Sequence, residues 1–425
     1  MKHFLCLLGS FLSFTLAFAK EPSSLSRDEA IRLAFSRQPG LKVASLVIDR
    51  AKSGMRWSGR LENPSLEFSY RNDETGLDEG EQTTDLAFSQ RFPVTARLKH
   101  EKTLRRHQIL LAEAEVAERR RELASEVDRA LVDLLASRER LRLSKDSLDL
   151  NGEIVAFLEK QAANGEVSKL DQMQATLAGR TLAQDRERLE SLEKQQRLAL
   201  FALIGLDSTS QVDFPDSLAL PAKEPPAAGE FDAILRRRPD HVLALAKIDE
   251  AAAALVLENA KRWEDIDVKL FVEDEHSVDA PNGMERNTFA GFGISIPLPL
   301  RQRNQEGIER ARIDGEEARR SVEASRFSIR SECEAAYRAR SDAWKLAHET
   351  AADLPALAEE QLEEVRKAHA NGEATFLQVR QAQEQLLAAR RTALDSLADY
   401  HLAEARVRLV TGAYPGLESS SQSQK

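Results

Sequence analysis

The chain has 425 residues, of which 42% are hydrophobic, 31% charged and 6% aromatic, and its formal net charge is −10. That profile fits a helix-rich, coiled-coil-rich protein, and with no dominant basic patch it argues against nucleic acid as a partner. The length allows two or three domains, but a long internal duplication favours one composite body.

Residues 1–19 read as a secretory signal peptide. Lys2 and His3 open it, Phe4 to Phe18 is apolar, and Ala17-Phe18-Ala19 offers a small-residue cleavage site before Lys20. Cys6 leaves with that segment, so Cys333 cannot form an intrachain disulfide and reads as a small packing residue. Beyond the signal, the most apolar run is Ala251 to Leu257, far too short to span a bilayer as a helix. An exported chain of this kind is either soluble or crosses a membrane with strands.

The first repeat covers residues 20–205. Ser26 and Glu29 have the spacing of a capping box at the start of a short helix that breaks at Gln38-Pro39-Gly40. A second helix is expected from about 41 to 61, ended by Asn63-Pro64. Two strands follow, at about 65–71 and 84–92. Leu66, Phe68 and Tyr70 alternate with Glu67, Ser69 and Arg71, and Leu86 and Phe88 alternate with Asp85, Ala87 and Ser89. A helical hairpin is expected over about 96–204. Its first helix carries an unbroken heptad seam: Leu123, Val127, Ala130, Leu134, Ser137, Leu141, Ser144, Leu148, Asn151, Val155, Leu158 and Ala162. Small and polar seam residues suit helices packed side by side in a curved wall. Asn164-Gly165-Glu166 forms the turn, Ser168 can cap the returning helix, and Gly205 ends it.

A Pro/Ser/Ala-rich linker (206–229) leads to the second repeat, 230–412, in the same order. Strands are expected at about 265–273 and 288–296. Val268, Leu270, Val272, Phe292 and Ile294 lie on one face, and a polar loop from Asp274 to Asn287 joins the pair. A hairpin over about 300–410 turns at Asn371-Gly372-Glu373, and Gly412 stops it as Gly205 stopped the first. The tail, 413–425, is Ser-rich and reads as disordered. The helix 96–162 would span roughly 100 Å.

Each strand is long enough to cross a bilayer when tilted, with one apolar and one polar or small face, as in a lipid-facing barrel wall. Four strands cannot close a conduit, so several chains are needed.

With these elements in place, the chain resembles the TolC-like outer-membrane efflux factors across essentially all of its mature length. Ser24 to Ala30, Asn63-Pro64-Ser65-Leu66 before the first strand and Ile296 to Leu300 after the fourth carry the resemblance. The hairpin tips are similar to the family's G-x5-D pattern. Gly165 and Asp171 fit it, whereas the second copy has Gly372 but Gln378 in place of Asp. The resemblance implies a mainly α fold with a small β part: a trimeric helical periplasmic tunnel joined to a 12-stranded outer-membrane barrel. It further implies a homotrimer in outer-membrane lipid, docked at its tips to a periplasmic adaptor (membrane fusion protein) and through it to an inner-membrane pump of the RND type. Arg301 to Ile308, with Arg-Asn-Gln closely followed by Gly, is similar to the heavy-metal (cobalt-zinc-cadmium) efflux branch.

His100 and His107 are seven residues apart but have no further ligand beside them, so a metal site is not expected. Glu273-Asp274-Glu275-His276 reads as a solvated acidic loop. With Asp73, Glu74, Asp78, Glu79 and Glu81 it would make an anionic mouth favouring cations. No nucleophile elbow, phosphate loop or zinc motif occurs, so the chain is expected to be no enzyme and to need no cofactor. The leading reading is a passive exit duct of a tripartite efflux system. A type I secretion channel and a periplasmic coiled-coil adaptor or scaffold are the alternatives.

Overall fold

A computed structural model describes residues 24–73, 80–163, 168–214, 217–226, 229–279 and 283–417. The expected signal peptide, the Asn164-Gly165-Glu166 turn, the acidic residues Glu74, Asp78 and Glu79, and residues 418–425 of the Ser-rich tail lie outside the described residues.

The element order repeats: α1 (Arg27–Arg37), α2 (Pro39–Trp57), β1 (Ser65–Asn72), β2 (Gln82–Phe92), α3 (Arg97–Ala163) and α4 (Lys169–Ile204) are followed by α5 (Phe231–Arg237), α6 (Pro239–Ala260), β3 (Ile266–Asp279), β4 (Gly283–Ser295), α7 (Gln305–Ala370) and α8 (Phe376–Thr411). Pro39 and Pro239, whose missing N–H costs nothing in a first turn, open α2 and α6. The capping box at Ser26 and Glu29 forms, with Glu29 Oε2 accepting from the Ser26 N–H at 2.9 Å and its hydroxyl at 2.6 Å.

Near the sheet, α2, α3, α6 and α7 pack side by side in that order; towards the tips the order is α4, α3, α8, α7. The heptad seam of α3 faces these neighbours, and none of its twelve positions is exposed. Small residues allow close approach: a Cβ on Gly179 of α4 would lie 2.6 Å from Asn151 Nδ2, which donates to the Ala175 carbonyl at 3.3 Å.

The main core lies midway, where α1, the start of the linker and the residues after α8 close over α3 and α4. Leu25, Ile31, Val127, Leu131, Leu134, Phe201, Ile204 and Phe214 belong to it. Beside it, fully buried Asp128 accepts from Arg408 Nε at 2.8 Å and pairs with Arg27 Nε at 3.1 Å. In the second half, Arg238 is 2% exposed and binds Asp240, Glu332 and the Val410 carbonyl. Burial alone would raise the Asp240 pKa, but its bonds to Arg238 hold it below the usual carboxylate value. Cys333 is buried beside Ile329 and Val410, as a packing residue should be.

Four boundaries differ from the sequence reading. The tail expected to be disordered from 413 is ordered over 413–417, with Tyr414 and Leu417 buried in the main core. α2 ends at Trp57 rather than 61, because the chain turns at Gly59 (φ +65°), where a side chain would collide with the Leu98 carbonyl. α7 begins at Gln305 rather than 300, since Pro297 and Pro299 interrupt the backbone donors and Asn304 adopts a left-handed conformation (φ 53°). The supposed loop from Asp274 to Asn287 is largely strand: β3 and β4 pair through Asp279 and Gly283. Glu273-Asp274-Glu275-His276 is therefore strand, not a solvated loop. Asp274 is satisfied across the ladder, accepting from Arg286 Nη2 at 2.9 Å and from the Thr288 hydroxyl at 2.9 Å.

Candidate functional site

The four strands form one antiparallel sheet in the order β1-β2-β3-β4. Its register aligns side chains across the whole width. Leu66, Phe88, Leu270 and Phe292 make one row, and Phe68, Leu86, Val272 and Ala290 the next. Val268 and Ile294 pair below them, and Tyr70 aligns with Thr84, Asp274 and Thr288 above. All ten residues expected on the apolar face share this side. Nine of them are exposed, Phe292 to 74%, and Val268 is half-buried. Large apolar side chains exposed in a continuous sheet-wide band mean that the surface meets something other than water.

The opposite face is polar and small. Ser65 and Ser89 hydroxyls lie 2.7 Å apart, Ser69 donates to Asp85 at 2.8 Å, Arg71 pairs with Asp85 at 3.2 Å and Lys269 with Glu67 at 3.4 Å. The Phe271 ring lies over Gly291, where a Cβ would meet it at 2.7 Å. Both outer strands, β1 and β4, have one edge with no strand neighbour among the described residues. Exposed edges of this length are sites for pairing with another chain.

The second hairpin tip is built by local rules. Gly372 takes φ +79° with open space around it, and the Glu373 N–H donates to the Ala368 carbonyl at 2.8 Å. His369 Nδ1 sits 2.8 Å from the Ala374 carbonyl. Gln378 is the third residue of α8, and its Oε1 accepts from the Thr375 N–H at 2.7 Å and the Thr375 hydroxyl at 3.1 Å. Asp171 occupies the same position in α4, where Ser168 is the cap and accepts from the Leu170 N–H. The Asp-to-Gln difference therefore keeps a polar residue in the third helical position and removes its charge. Asn371, Glu373 and Gln378 are exposed, and Asp171 is half-buried.

Sequence reasoning missed what joins the two tips. Phe376, the first residue of α8, packs against Ile154, Leu158 and Ala175 of the first hairpin. The Phe157 ring meets His369 edge-on at 6.2 Å. The local sequence signal is a large apolar residue, Phe376, three positions after Glu373. Between α3, α4 and α8 runs a groove of about 540 Å³, lined by residues including Asn151, Leu177, Arg380 and Arg390. His100 and His107 are half-buried on α3, and among the described residues no three His, Cys, Asp or Glu side chains gather as a cation site. No described helix is long and apolar enough to cross a membrane.

A sheet greased on one face and wetted on the other, carried on two long helical hairpins, defines a membrane duct. The sequence profile of the family "outer membrane efflux protein" matches residues 30–207 and 231–413, and the chain belongs to that family. It is accordingly the outer-membrane exit duct of an efflux system. It is 24% identical over 327 residues to the cobalt-zinc-cadmium resistance protein CzcC of Cupriavidus metallidurans, covering 75% of this chain and 73% of that protein. In fold it is similar to CusC (TM-score 0.73, 20% identity, 91% of each chain). It is similar also to the Campylobacter jejuni CmeC outer membrane channel (TM-score 0.73, 14% identity, 99% of this chain and 96% of that one). The open-state Neisseria gonorrhoeae MtrE channel gives TM-score 0.70 at 16% identity, over 91% of this chain and 88% of that one.

Proposed function

We propose that three copies of this chain close a 12-stranded barrel in the outer membrane and a helical tunnel beneath it in the periplasm, through which heavy-metal cations leave the cell. The observation that carries the reading is the sheet itself, with its full-width apolar face, its polar reverse and its two unpaired edges. Pairing β1 of one copy with β4 of the next satisfies both edges and repeats until the ring closes. Leu66, Phe68, Tyr70, Leu86, Phe88, Val268, Leu270, Val272, Phe292 and Ile294 would then face lipid. Asn164-Gly165-Glu166, Asp171, Asn371-Gly372-Glu373 and Gln378 would form the tips that meet a periplasmic adaptor, itself bound to an inner-membrane pump of the RND type. The duct does no chemistry of its own, and the pump supplies the energy.

The likeness to a cobalt-zinc-cadmium resistance protein and the similarity of residues 301–308 to that branch favour metal cations over dyes, detergents or secreted proteins. Deleting the protein should lower tolerance to zinc, cobalt and cadmium while leaving tolerance to detergents and dyes unchanged. The reverse pattern would assign the duct to multidrug efflux, and loss of a secreted protein would assign it to type I secretion.

A further inference from the structure

The apolar band is too short for a bilayer if it ends with the hydrogen-bonded sheet. From Ile266 to Asp274, the β3 residue level with Tyr70, it spans about 26 Å along the strand and about 20 Å once tilted, against about 25 Å for an outer-membrane barrel. The missing height lies below the strands. Ile296, Leu298 and Leu300 continue the alternation of β4 and are 58%, 67% and 74% exposed, and Val94 after β2 is 52% exposed. Directly beneath them, Arg262, Arg301 and Arg303 line a cavity of about 450 Å³ with Leu300, Gln305 and Ile308. All three arginines are exposed, and none is ion-paired with a carboxylate among the described residues. Glu309, at the edge of the cavity, is taken by Arg312 at 3.4 Å.

The backbone holds this cluster in place. Asn304, in its left-handed conformation, donates from Nδ2 to the Glu258 carbonyl at 2.9 Å and to Glu258 Oε2 at 2.6 Å, so the start of α7 is fastened to the end of α6. Any side chain at Gly307 would collide with both Asn304 Oδ1 and Glu258 Oε2. The Arg-Asn-Gln-x-Gly run thus builds the foot of the barrel. Arg303 is further fixed by donating Nε to the Pro299 carbonyl at 2.9 Å.

We infer that Arg262, Arg301 and Arg303 form a seat for the anionic headgroup of a phospholipid in the periplasmic leaflet, with its acyl chains lying against Val94, Leu298 and Leu300. The inference rests on the barrel reading above. Guanidinium groups match phosphate oxygens in geometry and charge, and they lie where an exposed apolar surface gives way to polar helix. A neighbouring subunit is the poorer occupant. Just before β1, the other border of the chain offers Arg60, stacked over Trp57 at 4.3 Å, and Glu62, paired with Arg91 at 3.6 Å.

The test uses the full-length protein reconstituted into phosphatidylcholine vesicles with and without phosphatidylglycerol. Lipid retained through mild detergent extraction is measured by native mass spectrometry. The combined Arg262→Gln, Arg301→Gln and Arg303→Gln variant should lose about a hundredfold in phosphatidylglycerol affinity, since each basic residue near an anionic membrane surface contributes about fivefold. Arg319→Gln with Arg320→Gln, exposed further along α7, should bind as the unaltered protein does. Equal retention by the triple variant would overturn the inference. So would displacement of the lipid by excess inorganic phosphate, or dissociation of the variant's subunits, which would make the cluster a subunit contact. Failure of the unaltered protein to insert into vesicles at all would instead overturn the barrel reading.

Discussion

Gly205 and Gly412 hold the same place in the two halves of the chain. Each ends its hairpin in the left-handed region, at φ +78° and +66°, and each lies flat against the last residue of a short helix, Arg37 in one half and Arg237 in the other. A Cβ would come within 2.8 Å of the Arg37 carbonyl carbon or 2.9 Å of the Arg237 oxygen. The duplication is thus preserved down to a backbone contact. Gly205→Ala and Gly412→Ala should each destabilise the protein by about 2 kcal/mol, through backbone strain plus collision. Thermal unfolding of the purified assembly should show both losses, and a midpoint unchanged in either variant would mean the contact is absent.

Asp128 is the shared acceptor for two arginines from opposite ends of the chain, Arg27 and Arg408. Asp128→Ala would remove the buried carboxylate that both cations share, leaving Arg408 its looser pair with Glu404 at 3.8 Å. The expected cost is about 3 kcal/mol. Denaturant unfolding in detergent would read it, and Asp128→Asn should recover only part of the loss.

His401 gives the molecule an acid sensitivity of definite sign. Burial, with the charges of Arg27 and Arg408, lowers its pKa to about 4 from the ordinary 6.5. The unfolded chain therefore binds a proton between those values that the folded chain refuses. The stabilisation is complete above about pH 6.5 and is lost as the pH falls towards 4. The unfolding midpoint should drop between pH 7.5 and pH 5, and His401→Gln should flatten that drop. An identical pH slope in the variant would assign the effect to other groups.

The two faces of the sheet should respond oppositely to charge. Leu270→Arg, at the middle of the exposed apolar rows, should cost about 2–4 kcal/mol and reduce the amount recovered from the outer membrane. Ser69→Lys, on the polar face, should be tolerated. Equal recovery of the two variants would contradict the assignment of faces.

The tips should matter for transport and not for assembly. Gly165→Pro combined with Gly372→Pro should abolish efflux while leaving trimers in the outer membrane. Gly372 requires a positive φ that proline cannot adopt. Normal metal tolerance in that variant would remove the tips from the docking mechanism.

Much of this architecture is legible in the chain because periodicity survives at length. The α3 seam holds its register from Leu123 to Ala162, and the period-two alternation in β1 to β4 assigns the apolar face residue by residue. The upper part of β3 and β4 escapes such reading, since Asp274, Arg286 and Thr288 look like loop residues until their cross-strand partners are known. The contact between tips escapes it too. Phe157 and His369 lie on different hairpins, and nothing local connects them. The αL turn at Asn304 is hidden for a similar reason: its partner, Glu258, is 46 residues away.

The most direct measurement combines native mass with conductance. In mild detergent the purified protein should have the mass of three copies, and added to a planar bilayer it should open a pore. A single copy that stays soluble without detergent and leaves the bilayer silent would contradict the closure of three sheets into one wall.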